Sequence, residues 1–168
     1  MVEKEKVFES KMKYKGVFPY PDMYKFCYEW LLEETELDPL IEAEYSEKIK
    51  GTGKEIKIKW KGYKKFTDYF RMEIKAEFHI LNMVDVEINQ GGNKTKANNG
   101  EIKLTVKGTL ERDYDGKFES KPWTKFLRAI YEKWIISTRV IQFEDKVAAK
   151  CDEFIGQTKA FLDLAGKR

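Results

Sequence analysis

Apolar and polar residues alternate along most of the first two thirds of the chain and recur at helical spacing elsewhere. From Val7 to Phe18, the residues Phe8, Ser10, Met12, Tyr14, Gly16 and Phe18 take every second position, with Glu9, Lys11, Lys13 and Lys15 between them. That is the pattern of a strand with one face buried. Pro19-Tyr20-Pro21-Asp22 then opens a helix, with a proline in the first turn and a carboxylate near the positive end of the helix dipole. Met23, Phe26, Cys27, Trp30 and Leu31 form its apolar stripe, and Asp38-Pro39 ends the connection that follows.

A hairpin comes next, with Ile41, Ala43, Tyr45 and Ile49 as the apolar set of one strand and Ile56, Ile58 and Trp60 as that of the other. For odd and even positions to share a face, facing residue numbers must add to an odd total. A two-residue Thr52-Gly53 turn or a four-residue loop allows this, and a three-residue loop does not. The register then sets Glu42 and Glu44 near Lys59 and Lys61 on the outer face. Tyr69 to Asn89 is the longest alternating run: Phe70, Met72, Ile74, Ala76, Phe78, Ile80, Val84, Val86 and Ile88 point one way. It reads as one long bent strand or as two strands with a kink near Leu81-Asn82-Met83. After a turn at Gln90-Gly91-Gly92-Asn93, Ile102, Leu104, Val106 and Leu110 mark another strand, with Lys103, Thr105, Lys107 and Thr109 on its other face.

The last segment, Ser120 to Leu164, has a capping serine, Pro122 in the first turn and no further proline or glycine until Gly156. It reads as one helix of about 65 Å, or as two joined at a slight break near Ser137. The expected fold is α+β. An antiparallel sheet of five to six strands carries a helix after the first strand and a very long C-terminal helix on one face, in the order β-α-β-β-β-β-β-α. Residues 1–168 form a single domain, with 1–119 making the sheet and first helix and 120–168 the terminal helix.

Composition changes this picture little. The chain has 32 basic and 29 acidic residues, a net charge of +3, so its charge is mainly a mixed solvated surface and does not by itself demand a polyanionic partner. Cys27 and Cys151 fall on apolar helix faces and read as free, buried thiols. The charged N-terminus and the lack of a long apolar run lead to the expectation of a cytoplasmic chain.

Candidate chemistry is sparse. The single histidine, His79, sits on a polar strand face, and one imidazole with two distant thiols does not make a zinc site. No serine has the glycine setting of a nucleophile elbow, and Gly51-Thr52-Gly53-Lys54 precedes a strand where a phosphate loop needs a helix. No catalytic residue, metal or cofactor is expected from these patterns. Three surfaces remain. Lys11, Lys13 and Lys15 on the first strand and Lys57, Lys59 and Lys61 on the third make a basic patch if their strands are neighbours, with Tyr63 nearby to stack on a base. Trp30, Trp60, Phe78, Trp123, Phe126, Ile130 and Trp134 would fill the space between helix and sheet, or line a cavity for an apolar ligand there. Val140, Val147, Cys151, Phe154 and Phe161 continue the stripe of the last helix beyond what the sheet can cover, which points to self-association.

The element order, with strand, helix, antiparallel strands and a long terminal helix, resembles the helix-grip architecture of the START-like superfamily. That resemblance implies a curved sheet around the last helix and binding of lipids, hormones or polyketides, or a chaperone-associated role. The terminal helix is about twice the usual length, and one helix stands where two short ones are usual. The residue style around Phe126-Leu127-Arg128 also resembles small archaeal proteins. The expectation is therefore a binding or assembly module that forms a homo-oligomer through its last helix. Two alternatives stand beside it: a carrier of an apolar small molecule or lipid, and binding of RNA or an anionic membrane surface through the lysine-rich strand faces.

Overall fold

The computed structural model describes residues 3–116, 121–131, 133 and 137–166. Among them are β1 (Glu3–Phe18), α1 (Tyr20–Glu33), β2 (Leu40–Lys50), β3 (Gly53–Lys65), β4 (Phe70–Gln90), β5 (Asn93–Arg112), α2 (Pro122–Ile130) and α3 (Ser137–Gly166). The strands form one antiparallel sheet in the order β1-β5-β4-β3-β2. The long alternating run is thus a single strand, and the sheet has five strands.

The bend in β4 has a local cause. The register slips between Leu81 and Val84, and Asn82 takes a left-handed conformation with φ of 53°. Its backbone approaches both neighbouring strands: a Cβ on Gly53 would lie 2.9 Å from Asn82 Cα, and one on Gly100 would lie 3.0 Å from the Leu81 carbonyl oxygen. The two glycines make room for the bulge.

The β2–β3 turn is Gly51-Thr52, not Thr52-Gly53, since Lys50 faces Gly53. The odd total holds from there to Glu44, which faces Lys59, and a bulge at Ala43 then shifts it, so that Glu42 faces Trp60. Glu42 consequently leaves the outer face and joins the helix-covered one. β2 is an edge strand whose apolar set is little covered, with Ile49 79% exposed.

Helices cover one face. Met23, Cys27 and Leu31 of α1 and Val147, Cys151, Phe154 and Leu162 of α3 are buried against Ile56, Ile58, Trp60, Ile74, Phe78, Ile102, Leu104 and Val106. α3 lies over β1 and β5, and its other flank meets α1. There Phe161 stacks on Phe26 at 4.8 Å between ring centroids, Trp30 packs on Phe154 at 5.5 Å, and Cys27 Sγ lies 3.7 Å from Thr158 Oγ1.

The apolar ridge of α3 is therefore not bare, contrary to the sequence expectation. The missing cover is α1, whose stripe reaches the flank that the sheet does not. Each fully buried side chain of this kind contributes on the order of 2 kcal/mol to folding, so exposing the ridge to a second copy would cost that much per residue.

Among the described residues the terminal segment holds two α-helices, α2 and α3. Lys121 occupies the N-cap position of α2, with Thr124 Oγ1 accepting its backbone N–H at 3.2 Å. Ser120, the expected cap, lies outside the described residues. At 1.5 Å per residue, α3 alone is about 45 Å long.

Candidate functional site

With helices on one side, the other side of the sheet is open, and strand alternation decides what stands on it. Across β1, β5, β4 and β3, Lys13 faces Lys103, Lys103 faces His79, and His79 faces Lys57. The next row on this face is Lys11, Thr105, Glu77 and Lys59, and beyond it Lys107 stands opposite Lys75 and Lys75 opposite Lys61. Like charges directly opposed on a sheet destabilise it.

The row Lys13, Lys103, His79 and Lys57 borders a trough of about 590 Å³. Lys11, Lys13, Lys57, Lys59, Lys103, Thr105, His79, Glu44 and Glu77 line it, over a floor formed at Met12, Ile58, Phe78 and Leu104. Five lysines stand against two glutamates. Lys59 Nζ pairs with Glu44 at 3.1 Å, which raises the lysine's pKa. Lys11, Lys13 and Lys103 form no ion pair with any described residue, so their charge remains available.

His79 of the trough is held by Glu55, whose carboxylate accepts hydrogen bonds from Lys50 and from His79, the latter at 2.7 Å. Those two bonds, Lys50 first, hold its pKa down to about 2. The opposite end of the open face is neutralised. Lys4 lies 3.1 Å from Glu111 and 3.4 Å from Glu73, and Lys61 and Lys75 lie 3.7 and 3.4 Å from Glu73. Arg71 Nε donates to Glu111 Oε2 at 2.6 Å. Tyr63 is covered there by Arg71, 4.3 Å from its ring centroid, and by Lys61 at 5.4 Å.

The structure thus brings together four of the six lysines of the expected basic patch. β1 and β3 are not neighbours, as that expectation required, since β5 and β4 lie between them. Lys11, Lys13, Lys57 and Lys59 nevertheless open onto one trough because all four face the same side. Lys15 faces Glu101 and Lys61 lies by Glu73, and neither lines the trough. The residue missed by sequence reasoning is Lys103. Its alternation was visible, but its place between the two rows depends on β5 pairing with both β1 and β4.

The seven aromatic and aliphatic residues considered for an apolar cavity are not brought to one place. Trp60 and Phe78 are buried with ring centroids 5.2 Å apart and fill the core themselves. Trp30 sits on Phe154. Trp123, Phe126 and Ile130 of α2 are 65%, 57% and 39% exposed, and Trp134 lies outside the described residues. α2 is held by its one buried side chain, Arg128, which reaches Glu3 at 2.8 Å and donates to the Tyr69 hydroxyl at 2.9 Å. A cleft of about 340 Å³ between α3 and the sheet is lined by Thr35, Lys64, Phe66, Met72, Lys146, Ala149 and Lys150.

Of the self-association residues, Val147, Cys151 and Phe154 are fully buried in their own chain, Phe161 is stacked on Phe26, and Val140 packs beside Tyr69, Phe70 and Leu110.

Among the described residues, no three His, Cys, Asp or Glu side chains are grouped so as to hold a metal ion, and no helix is long and apolar enough to cross a membrane. Fold and site together define an α+β protein with one sheet face covered by helices and the other open and cationic. No known family's sequence model matches the chain, and no curated protein matches it in sequence.

Proposed function

We propose that the protein is a binding module that lays the phosphate backbone of a nucleic-acid duplex in the lysine-lined trough of its open sheet face. The observation that carries this reading is the row Lys13, Lys103, His79 and Lys57 running across four adjacent strands, in which Glu55 pairs with His79 and Lys57 while Lys13 and Lys103 form no ion pair with any described residue. Strand spacing makes the row about 14 Å long, enough to meet several phosphates of a duplex that carries one charge per roughly 1.7 Å of its axis.

The shape of the face favours a duplex over other anions. A recessed trough accepts a rod better than it does a flat bilayer. Single strands are usually held by bases stacked on exposed aromatic rings, and Tyr63, the aromatic residue of the open face nearest the lysine rows, is already covered by Arg71 and Lys61. Such a module works where nucleic acid is found, in the cytoplasm. The helix-grip likeness to a lipid carrier has less support, because Trp60 and Phe78 occupy the space where a cargo would sit. Self-association through the α3 ridge has less as well, because the ridge is covered by its own chain.

The test is fluorescence anisotropy with labelled RNA and DNA duplexes. Contacts to about four phosphates give a slope of log K against log salt of about −3 to −4, roughly a hundredfold loss between 50 and 200 mM. Reversing Lys13, Lys57 and Lys103 to glutamate abolishes this binding, whereas reversing Lys25 and Lys159 on the helices leaves it. Binding that ignores the trough reversals, or that goes to anionic vesicles in preference to either duplex, overturns the reading.

A further inference from the structure

On the helix-covered side, at the edge where β2 is left exposed, Tyr20, Pro21, Tyr24, Tyr45 and Glu42 line a further, shallower pocket of about 400 Å³. Its walls are aromatic. The rings of Tyr20 and Tyr24 have centroids 6.4 Å apart with planes inclined at 59°, and Tyr45 meets Tyr24 at 6.3 Å and 77°. The Tyr20 and Tyr45 hydroxyls are hydrogen-bonded at 2.9 Å, which fixes the two outer rings relative to each other. Behind them Trp60 braces Tyr24 edge-on at 5.1 Å.

Glu42 is placed here deliberately by the backbone. The bulge at Ala43 turns it away from the lysines of the open face and under the rings. Bulges of this kind re-aim a side chain, and they concentrate beside functional sites. Its Oε2 accepts both the Trp60 indole N–H, at 3.1 Å, and the Tyr24 hydroxyl. Oε1 has no hydrogen-bond partner among the described residues, and no described Lys or Arg forms an ion pair with this carboxylate. Tyr63, Tyr69, Tyr114 and Phe143 each carry a cation of the chain against the ring. Tyr20, Tyr24 and Tyr45 carry none among the described residues. Burial raises the pKa of Tyr20 and lifts that of Tyr24 to about 12, so both rings stay neutral and keep their electron-rich faces.

We infer that this pocket is a cation cage that takes a methylated ammonium group, against the faces of Tyr20, Tyr24 and Tyr45 and beside the carboxylate of Glu42. Aromatic faces attract organic cations through the ring quadrupole, and a fixed carboxylate supplies the counter-charge. The pocket is open and shallow, so it suits the head of a longer molecule better than a fully enclosed ligand. The same head group occurs on small choline-type molecules and on trimethylated lysine side chains. This site is separate from the trough, and neither depends on the other.

The experiment is an NMR titration of the full chain, following the Trp60 indole N–H, with choline, with its uncharged carbon isostere dimethylbutanol, and with a short peptide carrying trimethyllysine. The expected result is a saturable shift with the cations and little or none with the isostere. Tyr45→Ala and Glu42→Gln each weaken binding roughly fivefold, while Tyr45→Phe, which keeps the ring, retains it. Tighter binding of the peptide assigns the cage to a protein partner, and tighter binding of choline assigns it to a small molecule. An equal response to dimethylbutanol, no shift with choline or peptide at concentrations on the order of 0.1 M, or unchanged affinity in Tyr45→Ala overturns the inference. Tyr45 lies on the exposed edge strand, so its variants test the idea even if Glu42→Gln proves unstable.

Discussion

Glu42 Oε2 accepts the indole N–H of Trp60 at 3.1 Å, although simple alternation along β2 assigns the two side chains to opposite faces of the sheet. Trp60 is 1% exposed, so the carboxylate satisfies a donor that would otherwise be buried unpaired. Glu42→Ala is expected to destabilise the protein by about 1–3 kcal/mol, and Glu42→Gln, which keeps an acceptor oxygen, by clearly less. Urea unfolding of the two variants checks this. Equal losses would show that the hydrogen bond is not the cause.

Gly108 of β5 is where α3 comes closest to the sheet. A Cβ there would lie 2.7 Å from both Cys151 Sγ and Val147 Cγ1, so these side chains or the helix that carries them must shift. Gly108→Ala is expected to cost about 1–3 kcal/mol as overpacking. Gly156→Ala, within α3 but facing open space, is expected to stabilise by about 0.5–1 kcal/mol through helix propensity. Thermal unfolding of the pair reads out how tightly α3 is seated on its own sheet, and a neutral Gly108→Ala would mean that it is seated loosely.

Cys27 and Cys151 are the two cysteines of the chain, both free and buried, and burial pushes each thiol up to about 12. Neither carries an appreciable thiolate fraction at pH 8, and neither is reached by solvent. Ellman's reagent is expected to leave both unmodified in the native protein and to titrate both in guanidinium. Prompt labelling without denaturant would contradict the burial of α1 against α3.

Glu55 sets an acid limit on the sheet. Hydrogen bonds from Lys50 and His79 hold its carboxyl at about 2, against an ordinary value of 4.5 in the unfolded chain. The unfolded form therefore takes up the proton first as pH falls. The contribution of this carboxylate is complete above about pH 4.5 and is lost as pH falls from there through 2. Comparing wild type with Glu55→Gln by urea unfolding from pH 7 downward, the stability difference is expected to be constant to about pH 4.5 and then to shrink. A difference that persists to pH 2 would locate the effect in packing instead.

The elements that sequence reading recovered are those whose evidence lies within a single segment. The alternation of Phe70 to Ile80 and the stripe of Met23, Cys27 and Leu31 are buried as their spacing predicts. The kink at Asn82 was also visible, as a break in alternation. The faces of the lysines were legible for the same reason: a strand side chain cannot change sides without a bulge. The bulge at Ala43 left no mark in the pattern, since an alanine and a glutamate suit either face of an edge strand, and so Glu42 was misplaced.

Local pattern therefore settled which residues are strand or helix, which way most of them point, and that the fold is α+β with a single sheet. Neighbourhood was beyond it. That β5 lies between β1 and β4 and carries Lys103 into the gap between two lysine rows is a matter of pairing between distant segments. That α1 covers the flank of α3 left free by the sheet, closing the ridge at Phe154 and Phe161, depends on how two helices share one surface. Both follow from the total burial that the folded chain achieves, a quantity summed over contacts far apart in sequence, and no window of residues contains it.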